Sequence, residues 1–434
     1  MKNKYFYIVL TCVLTVGMFL SACTKTAAST ETTEPSSGET TSSEPVTIKV
    51  MSYFAYDNPE VEQAVVAAFE EKYPDITVEL ESVPLSDIIL KYKTLIAGNE
   101  APDVMAMNLE NSYAFASLGA IEPLDQWITS SGLDTNIYYK ATLDMWKFEG
   151  VQYYMPATFS DVVLYYNKDL FDAAGLAYPA RDWTWDDLKA AAVALTKDTD
   201  GDGKIDQWGY SLPWWPIMLE MYNASIWSED GTTCTLNSPE GIKAIQTMVD
   251  ARYTDKFAPT ADQLAEQGDW DMFIAGRLAM FPSGPWAVQP FNDGAKFTFD
   301  IAHMPAGDKQ ATQVYANSYG MSATSEHKDA AWKFIEFATG PEGTKIRQDG
   351  KYEISPVKEI AEKYYVEALS GDDPEHAIVF MEVLDYAVPQ PLNEHWSEIS
   401  DAVQQQLDLA LIQEISVEDA LDAACQSINE ILSK

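Results

Sequence analysis

Between residues 46 and 110, segments whose hydrophobic residues have the spacing of a β-strand alternate with segments whose hydrophobic residues have the spacing of an α-helix. Strand-like runs, rich in β-branched or aromatic residues or alternating with period two, occupy 47–54 (TIKVMSYF), 76–80 (ITVEL) and 103–107 (DVMAM). Helical spacing of apolar residues occupies 61–69, ended by Pro74, and 85–97, ended by Gly98. This order predicts a parallel sheet with helices on its faces. Ligands of such sheets lie beyond the carboxyl ends of the strands, here residues 52–54 and 107–110.

Helix-start signals recur later in the chain. Thr184 and Asp187 have capping-box spacing and predict a helix to about Thr196. Ser238 followed by Pro239 predicts the start of another helix, and Ser416 with Asp419 predicts a last helix that reaches Ile431. The chain from Val46 to Lys434 is too long for one ordinary core, so we expect two domains.

The first 22 residues have the pattern of an export signal. Lys2 and Lys4 precede an apolar run from Tyr5 to Leu20, whereas a membrane-spanning anchor needs about 20 apolar residues. The tetrapeptide LSAC (20–23) resembles the bacterial lipoprotein box, in which the signal is cut before a cysteine that is then lipidated. We therefore expect lipidated Cys23 to anchor the protein to the outer face of the cell membrane, with each buried methylene contributing about 0.8 kcal/mol.

Composition then separates a tether from the globular body and narrows the range of ligands. Residues 24–45 hold no aromatic residue and no aliphatic residue larger than Ala, so 23–45 is predicted to be a disordered tether. The net charge of −39 argues against nucleic acid and anionic small molecules as partners, and favours neutral polyols or cations. Of four cysteines, Cys234 and Cys425 lie in the body, either as an exported disulfide or as two separate buried thiols.

Six longer segments follow one another along the chain: FEEKYPDITVEL (69–80), LIAGNEAPDVMAM (95–107), YYMPATFSDVVLYYNKDLFDAAGL (153–176), WTWDDLKAAAVALTKDTDGDGKIDQWGY (183–210), FIAGRLAMFPSGPW (273–286) and AAWKFIEFATGPEG (330–343). Their order resembles family 1 of the extracellular solute-binding proteins, the maltose-binding type. Members of that family are substrate-capturing lipoproteins of ATP-binding-cassette sugar importers. Together with the lipobox, the six segments cover the mature chain in order.

The resemblance implies a two-lobed α/β fold of the type II periplasmic-binding-protein kind. Each lobe would be a mostly parallel sheet flanked by helices, with hinge strands crossing near 158–163 and 303–305 and a third link near 339. The N-terminal lobe would comprise 46–160 and 304–340, and the C-terminal lobe 161–303 and 341–434. The implied protein is a monomer that closes on a carbohydrate and delivers it to the permease subunits of the transporter.

Candidate ligand contacts follow from the chemistry of a sugar, whose C–H faces suit aromatic rings and whose hydroxyls suit carboxylates and amides. Trp286 and Trp396 resemble the stacking tryptophans of the family, and Trp214 and Trp215 are adjacent rings in a Pro-flanked loop. For most tryptophans core packing is the simpler interpretation. The full set is Tyr53, Phe54, Asp57, Asn108, Glu110, Asn111, Ser160, Asp161, Trp214, Trp215, Trp286 and Trp396. One ring of the pair 53 and 54 is expected in the core, and the carboxylates at 57 and 161 have backbone capping as an alternative role.

The stretch KDTDGDGKIDQWGY (197–210) opens like an EF-hand calcium loop. Its candidate ligands are Asp198, Asp200, Asp202, the carbonyl of Lys204, and Asp206. The twelfth position is Gly209 where an EF-hand has a bidentate Glu, and the residues that follow are β-like, which excludes a calcium sensor. A structural calcium site and a solvated acidic turn both remain open.

Three functional classes fit an exported, acidic, aromatic-rich chain. No G-x-S-x-G, H-E-x-x-H or Walker motif is present, and the four histidines are scattered. A cell-surface glycoside hydrolase is the main alternative, because two carboxylates in a cleft suffice for it. A passive adhesin fits the tether but not the two-lobe motif order. The tether and the motif order favour a carbohydrate-binding lipoprotein that is not an enzyme. We expect that this protein requires no cofactor, and the structural calcium ion remains open.

Overall fold

The structure is a computed structural model that describes residues 45–350, 353–365, 371, 373–391, 393 and 395–433. The predicted signal peptide, the lipidation site Cys23 and the tether up to residue 44 lie outside the described residues. Within the described part of the chain, no helix combines the length and the apolar character needed to cross a membrane.

The helices begin where the local signals predict. The capping box of Thr184 and Asp187 is formed, and the side chains of Ser238 and Ser416 each accept a backbone N–H at their helix starts. The helix predicted over 85–97 has those bounds. All described α-helices are Phe54–Asp57, Pro59–Lys72, Leu85–Ala97, Leu109–Ser117, Asp125–Ser131, Lys140–Asp144, Lys168–Ala174, Trp185–Leu195, Trp215–Met221, Pro239–Tyr253, Ala261–Glu266, Asp269–Ile274, Val288–Gly294, Lys328–Thr339, Pro341–Asp349, Lys358–Ile360, Val379–Glu382, Trp396–Leu411 and Val417–Leu432.

The described residues form twelve strands, which make up two main sheets and a short hairpin. In chain order they are β1 Val46–Ser52, β2 Ile76–Ser82, β3 Val104–Asn108, β4 Lys147–Phe148, β5 Val151–Gln152, β6 Tyr154–Asp161, β7 Val163–Asn167, β8 Trp208–Tyr210, β9 Leu278–Ser283, β10 Phe299–Ala302, β11 Thr312–Met321 and β12 Ala387–Pro389. The three strands predicted between residues 47 and 107 are β1, β2 and β3, and they pair in parallel as expected.

Each main sheet belongs to one lobe. The first sheet has the order β12-β11-β3-β1-β2, with β6 also paired to β11, and the second has the order β10-β7-β9-β8. The two-lobed α/β class is confirmed, but the sheets are mixed instead of mostly parallel. β11 runs antiparallel to β3 and β6, and β7 runs antiparallel to β9 and β10.

The chain passes from one sheet to the other at two crossings. After the second crossing, more residues than predicted belong to the first lobe. It leaves the first sheet after Asp161 and re-enters it at Thr312. The helix Pro341–Asp349, predicted in the C-terminal lobe, packs in the first lobe instead. Its buried Arg347 donates from Nε and Nη2 to the two carboxylate oxygens of buried Glu62 at 2.5 and 3.0 Å. This ion pair joins the helix to Pro59–Lys72, so the boundary between 340 and 341 does not separate the lobes.

The second lobe carries a disulfide that the sequence left open. Cys234 and Cys425 are bonded, 191 residues apart in the sequence. The bond links the loop after Trp215–Met221 to the last helix. That helix packs against Trp396–Leu411 and buries one apolar stripe that includes Leu421 and Ile428.

Candidate ligand-binding site

A cleft of about 660 Å³ lies at the carboxyl ends of β1 and β3, where both crossings pass. This size is typical of small-molecule sites. The lining residues come from the first lobe, from the crossing strands, from the turn after β9 and from two later segments. They are Tyr53, Asp57, Asn58, Leu85, Asn108, Leu109, Glu110, Ser160, Trp286, Gln289, Pro290, Tyr315, Ala316, Asn317, Gly350, Glu353 and Gln390.

Six of the predicted contact residues line this cleft: Tyr53, Asp57, Asn108, Glu110, Ser160 and Trp286. Trp286 is the most exposed of the predicted aromatic contact residues, with 36% of its surface exposed. Asn111 is not among the lining residues, and its Nδ2 donates to Oδ1 of the lining residue Asn108 at 3.0 Å. The structure therefore brings together a cluster of polar groups on the first lobe and a tryptophan on the second.

Four predicted contact residues are packed in the interior instead. Phe54 contacts the ring of Tyr319 and lies under the guanidinium of Arg347. Trp215 and Trp396 are each only 2% exposed and pack against each other, because Trp215 opens a buried helix and Trp396 opens the long C-terminal hairpin of helices. Enrichment in aromatic residues does not by itself distinguish a core ring from a cleft ring.

Asp161, the fourth, faces away from the cleft because adjacent residues of a strand point to opposite faces. Ser160 lies opposite Tyr315 in the β6–β11 pair, and both line the cleft. Asp161 lies opposite Val314 on the other face, fully buried. Neither of its carboxylate oxygens has a hydrogen-bond partner among the described residues, and burial raises its pKa well above the usual range.

Trp214 is half-buried beside the cleft and does not line it. Its ring stacks on Tyr315 with centroids 6.4 Å apart and planes 29° apart. Tyr315 in turn meets Trp286 edge to face, with centroids 6.1 Å apart. The three rings form an aromatic wall on the side of the crossing strand β11.

Glu353 is a cleft carboxylate that the sequence did not identify. Its Oε2 accepts a hydrogen bond from Asn317 Nδ2 at 2.8 Å and another from Thr158 Oγ1, and Ser160 is a further partner. Asn317 also accepts from the hydroxyl of Tyr53 at 2.6 Å. Burial raises the pKa of Glu353, the bonds from Thr158 and Asn317 oppose this, and the charge of Asp57 adds to it.

Gln390 is a second cleft residue that the sequence analysis did not identify. Its Nε2 donates to Oε1 of Glu110 at 3.0 Å, while Oε2 of the same carboxylate accepts from Asn108 Nδ2 at 3.3 Å. In this part of the chain the sequence analysis identified Trp396, which follows Gln390 by six residues. The side chain that reaches the cleft is that of Gln390.

The acidic loop at 197–210 is a separate feature of the second lobe. Carboxylate oxygens of Asp198, Asp200 and Asp206 lie within 4.8 Å of one another. Asp202 accepts from the backbone N–H of Lys204 at 2.8 Å, and it is not part of that group of three. β8 follows the loop, which confirms the prediction that no exit helix is present.

Chemically, the cleft offers hydrogen-bond acceptors next to the aromatic rings of Tyr53, Trp286 and Tyr315. Ionised carboxylates only accept hydrogen bonds, while amides and hydroxyls also donate. A ligand that fits this combination carries several hydroxyl groups around an apolar face, as a sugar ring does.

Comparison with known proteins agrees with the fold. The family profile described as "Bacterial extracellular solute-binding protein" matches residues 57–345. An ABC substrate-binding protein from Listeria monocytogenes, solved in complex with cycloalternan, superposes with a TM-score of 0.83 at 32% identity, covering 90% of this chain and all of that one. A binding protein of Brucella abortus (strain 2308) is 26% identical over 90% of this chain and 93% of its own length. The maltotriose-binding protein of Pyrococcus abyssi is 25% identical over 65% of this chain and 60% of its own. The chain belongs to the family of bacterial extracellular solute-binding proteins.

Proposed function

We propose that the protein binds a carbohydrate in the cleft between its lobes and delivers it to the permease subunits of an ABC transporter, without chemistry on the ligand. The observation that carries this proposal is the cleft itself. Trp286 and Tyr315 provide ring faces, and Glu110, Glu353 and Asn108 provide hydrogen-bonding groups around the same cavity. Family membership and the cycloalternan-bound relative support the same class of ligand.

An oligosaccharide suits the cleft better than a single sugar. The cavity of about 660 Å³ has Trp286 on one side and the stacked pair of Tyr315 and Trp214 beside it. Among the relatives, the named ligands include maltotriose and cycloalternan. The glycoside hydrolase alternative is not supported, since the similar proteins are named as binding proteins.

Two lobes that close on the ligand complete the proposal. The first would be built on the sheet that contains β1, β2, β3, β6, β11 and β12, and the second on the sheet that contains β7, β8, β9 and β10. A ligand favours the closed arrangement of the lobes because some of its contacts exist only in that arrangement. The protein is proposed to act as a monomer, held at the outer face of the membrane by lipid on Cys23 and by the tether that follows it.

Calcium is proposed as a structural ion of the acidic loop. Three carboxylates with oxygens within 4.8 Å of one another are the hard oxygen donors that calcium takes. Asp198, Asp200 and Asp206 would hold the ion, while Asp202 and the carbonyl of Lys204 would need to turn toward it. The ion would brace the loop between the helix Trp185–Leu195 and β8.

A thermal-shift screen of the purified protein against neutral oligosaccharides tests the function. A ligand at about 100 times its dissociation constant should stabilise the protein by about 2.7 kcal/mol. Each mixture that gives a shift is then analysed for hydrolysis by chromatography. A shift with intact sugar supports the proposal. Cleaved sugar assigns the protein to the hydrolases, and no shift with any sugar refutes carbohydrate binding.

A further inference from the structure

Three side chains of metal-ligand type, from two distant parts of the chain, meet on the second lobe outside the cleft. They are Asp300 on β10, and Glu375 and His376 in the segment before the helix Val379–Glu382. One ligand atom of each residue lies within 4.8 Å of the other two. The proposed function uses none of the three, and the scattered positions of the histidines in the sequence gave no indication of this cluster.

The carboxylate of Asp300 is buried and fixed in direction. The residue is fully buried, and its Oδ1 accepts the backbone N–H groups of Ile301 and His376 at 2.9 and 3.0 Å. Its Oδ2 meets the imidazole of His376, whose Nδ1 lies 2.6 Å away, and accepts from the hydroxyl of Tyr166 at 3.4 Å. A carboxylate oriented in this way by outer hydrogen bonds is the form in which proteins present a metal ligand.

The segment 373–376 is held against β10 by bonds that lie outside the cluster. The carboxylate of Asp373 accepts the backbone N–H of Phe299 at 3.1 Å, and the carbonyl of Asp373 accepts from Asn292 Nδ2 at 2.6 Å. The fold therefore places the imidazole beside the buried carboxylate without depending on their own contact. Ligands that are placed before binding lower the entropy cost of holding an ion.

Glu375 brings a second carboxylate to the same point, and its partner is a cation. Lys168 Nζ lies 3.3 Å from Oε2 of Glu375. Two carboxylates that meet this closely repel each other unless a cation lies near them. A divalent ion between the two carboxylates and the imidazole would compensate both negative charges, and the ammonium group of Lys168 would compete with it for Glu375.

We propose that Asp300, Glu375 and His376 bind a zinc ion that joins the segment 373–376 to β10. One imidazole nitrogen and two carboxylate oxygens, with water as a fourth ligand, suit zinc, whereas calcium and magnesium prefer oxygen ligands alone. Zinc–ligand distances of about 2.0–2.2 Å require the exposed side chain of Glu375 to rotate inward. If Nδ1 of His376 is the ligand, the proton that it shares with Asp300 moves to Nε2, so that the ring binds in its neutral form. The proposal does not depend on carbohydrate binding.

Calorimetric titration of the metal-free protein with zinc chloride tests the site, in an Asp198→Asn background that disables the acidic loop. One zinc ion should bind, and His376→Ala and Glu375→Gln should each weaken binding by about tenfold or more. Both side chains are largely exposed, at 60% and 70%, so the variants should fold, which thermal unfolding without zinc verifies. His327→Ala, at an exposed histidine before the helix Lys328–Thr339, is the matched control and should bind zinc like the background protein. No zinc binding, or equal binding in His376→Ala and the background, overturns the proposal.

Lys168→Gln separates a metal site from a simple ion-pair cluster. Removal of the competing ammonium group should tighten zinc binding, although it also removes an ion pair of the metal-free protein. Equal or weaker zinc binding in Lys168→Gln overturns the assignment of Glu375 as a ligand. In NMR spectra, the imidazole signals that are missing from His376→Ala should shift when zinc is added to the background protein and should stay in place with calcium. Imidazole signals that do not respond to zinc overturn the proposal.

Discussion

The buried carboxyl of Asp161 predicts a specific dependence of stability on pH. Asp161 is fully buried between the crossing strand and the segment that carries Tyr365 and Tyr386, and neither oxygen has a described partner. Because burial raises its pKa, the folded protein holds it neutral at pH values where the unfolded chain ionises it, above about 3.9. Unfolding then releases a proton, so stability is greatest below the unfolded pKa and is lost as the pH rises toward the folded pKa.

The substitution Asp161→Asn removes this ionisation and keeps the shape. Relative to the parent, the free energy of unfolding of the variant should increase by about 1.4 kcal/mol for each pH unit between the unfolded pKa and the folded pKa of Asp161. The difference stops growing at the folded pKa of Asp161. Burial also raises the pKa values of Tyr165, Tyr365 and Tyr386, so these phenols do not titrate in this range.

Urea unfolding of both proteins at intervals of half a pH unit from pH 4 to 7 measures the difference between their free energies of unfolding. Groups that titrate in both proteins, such as His303, contribute equally to the two curves and do not affect this difference. Asp300→Asn is the matched control. Asp300 is equally buried, but it accepts hydrogen bonds from the backbone N–H groups of Ile301 and His376. Its substitution should destabilise the protein at pH 7 by about 1–3 kcal/mol. Parallel curves for Asp161→Asn and the parent would show that Asp161 is paired or solvated in solution, which refutes the reasoning.

Four further predictions concern the cleft, the loop, the disulfide and the anchor. Trp286→Ala should weaken binding of the best oligosaccharide in calorimetry at least about tenfold, whereas buried Trp332→Phe should leave it nearly unchanged; equal effects would remove Trp286 from the site. Calcium should raise the melting temperature of the parent but not of Asp198→Asn, and an equal rise in both would place any bound calcium elsewhere. Cys234→Ser should lower the free energy of unfolding by about 2–5 kcal/mol, with no further loss in the double variant with Cys425→Ser; additive losses would contradict the bond. The parent expressed in a bacterial host should partition into detergent and Cys23→Ser into the aqueous phase, and the same phase for both would refute lipidation at Cys23.

Local signals in the sequence were sufficient for the helix starts and strands that we predicted and insufficient for the site. The capping residues at 184, 238 and 416 act within a few positions of themselves, so each helix start could be predicted. Glu353 and Gln390 join the cleft through partners 195 and 280 residues away, and no local pattern indicates those contacts. The alternation of a strand could have separated Ser160 from Asp161, because only one of two adjacent residues can face the cleft. Predicting a strand through both positions would have assigned Asp161 to the buried face.

The hydrogen bonds of Glu353 connect the wall of the cleft to the strands at the crossings. Thr158 and Asn317 belong to β6 and β11, the strands at the crossings, and both donate to Glu353 in the wall of the cleft. Asn317 is held in turn by Tyr53 at the end of β1. Under the proposed function, a ligand hydroxyl that approaches Glu353 would act on groups that also hold the crossing strands. Since a ligand shifts an equilibrium between lobe arrangements only by its differential contacts, the proposed closure predicts that substitution of Glu353 alters ligand affinity and closure together.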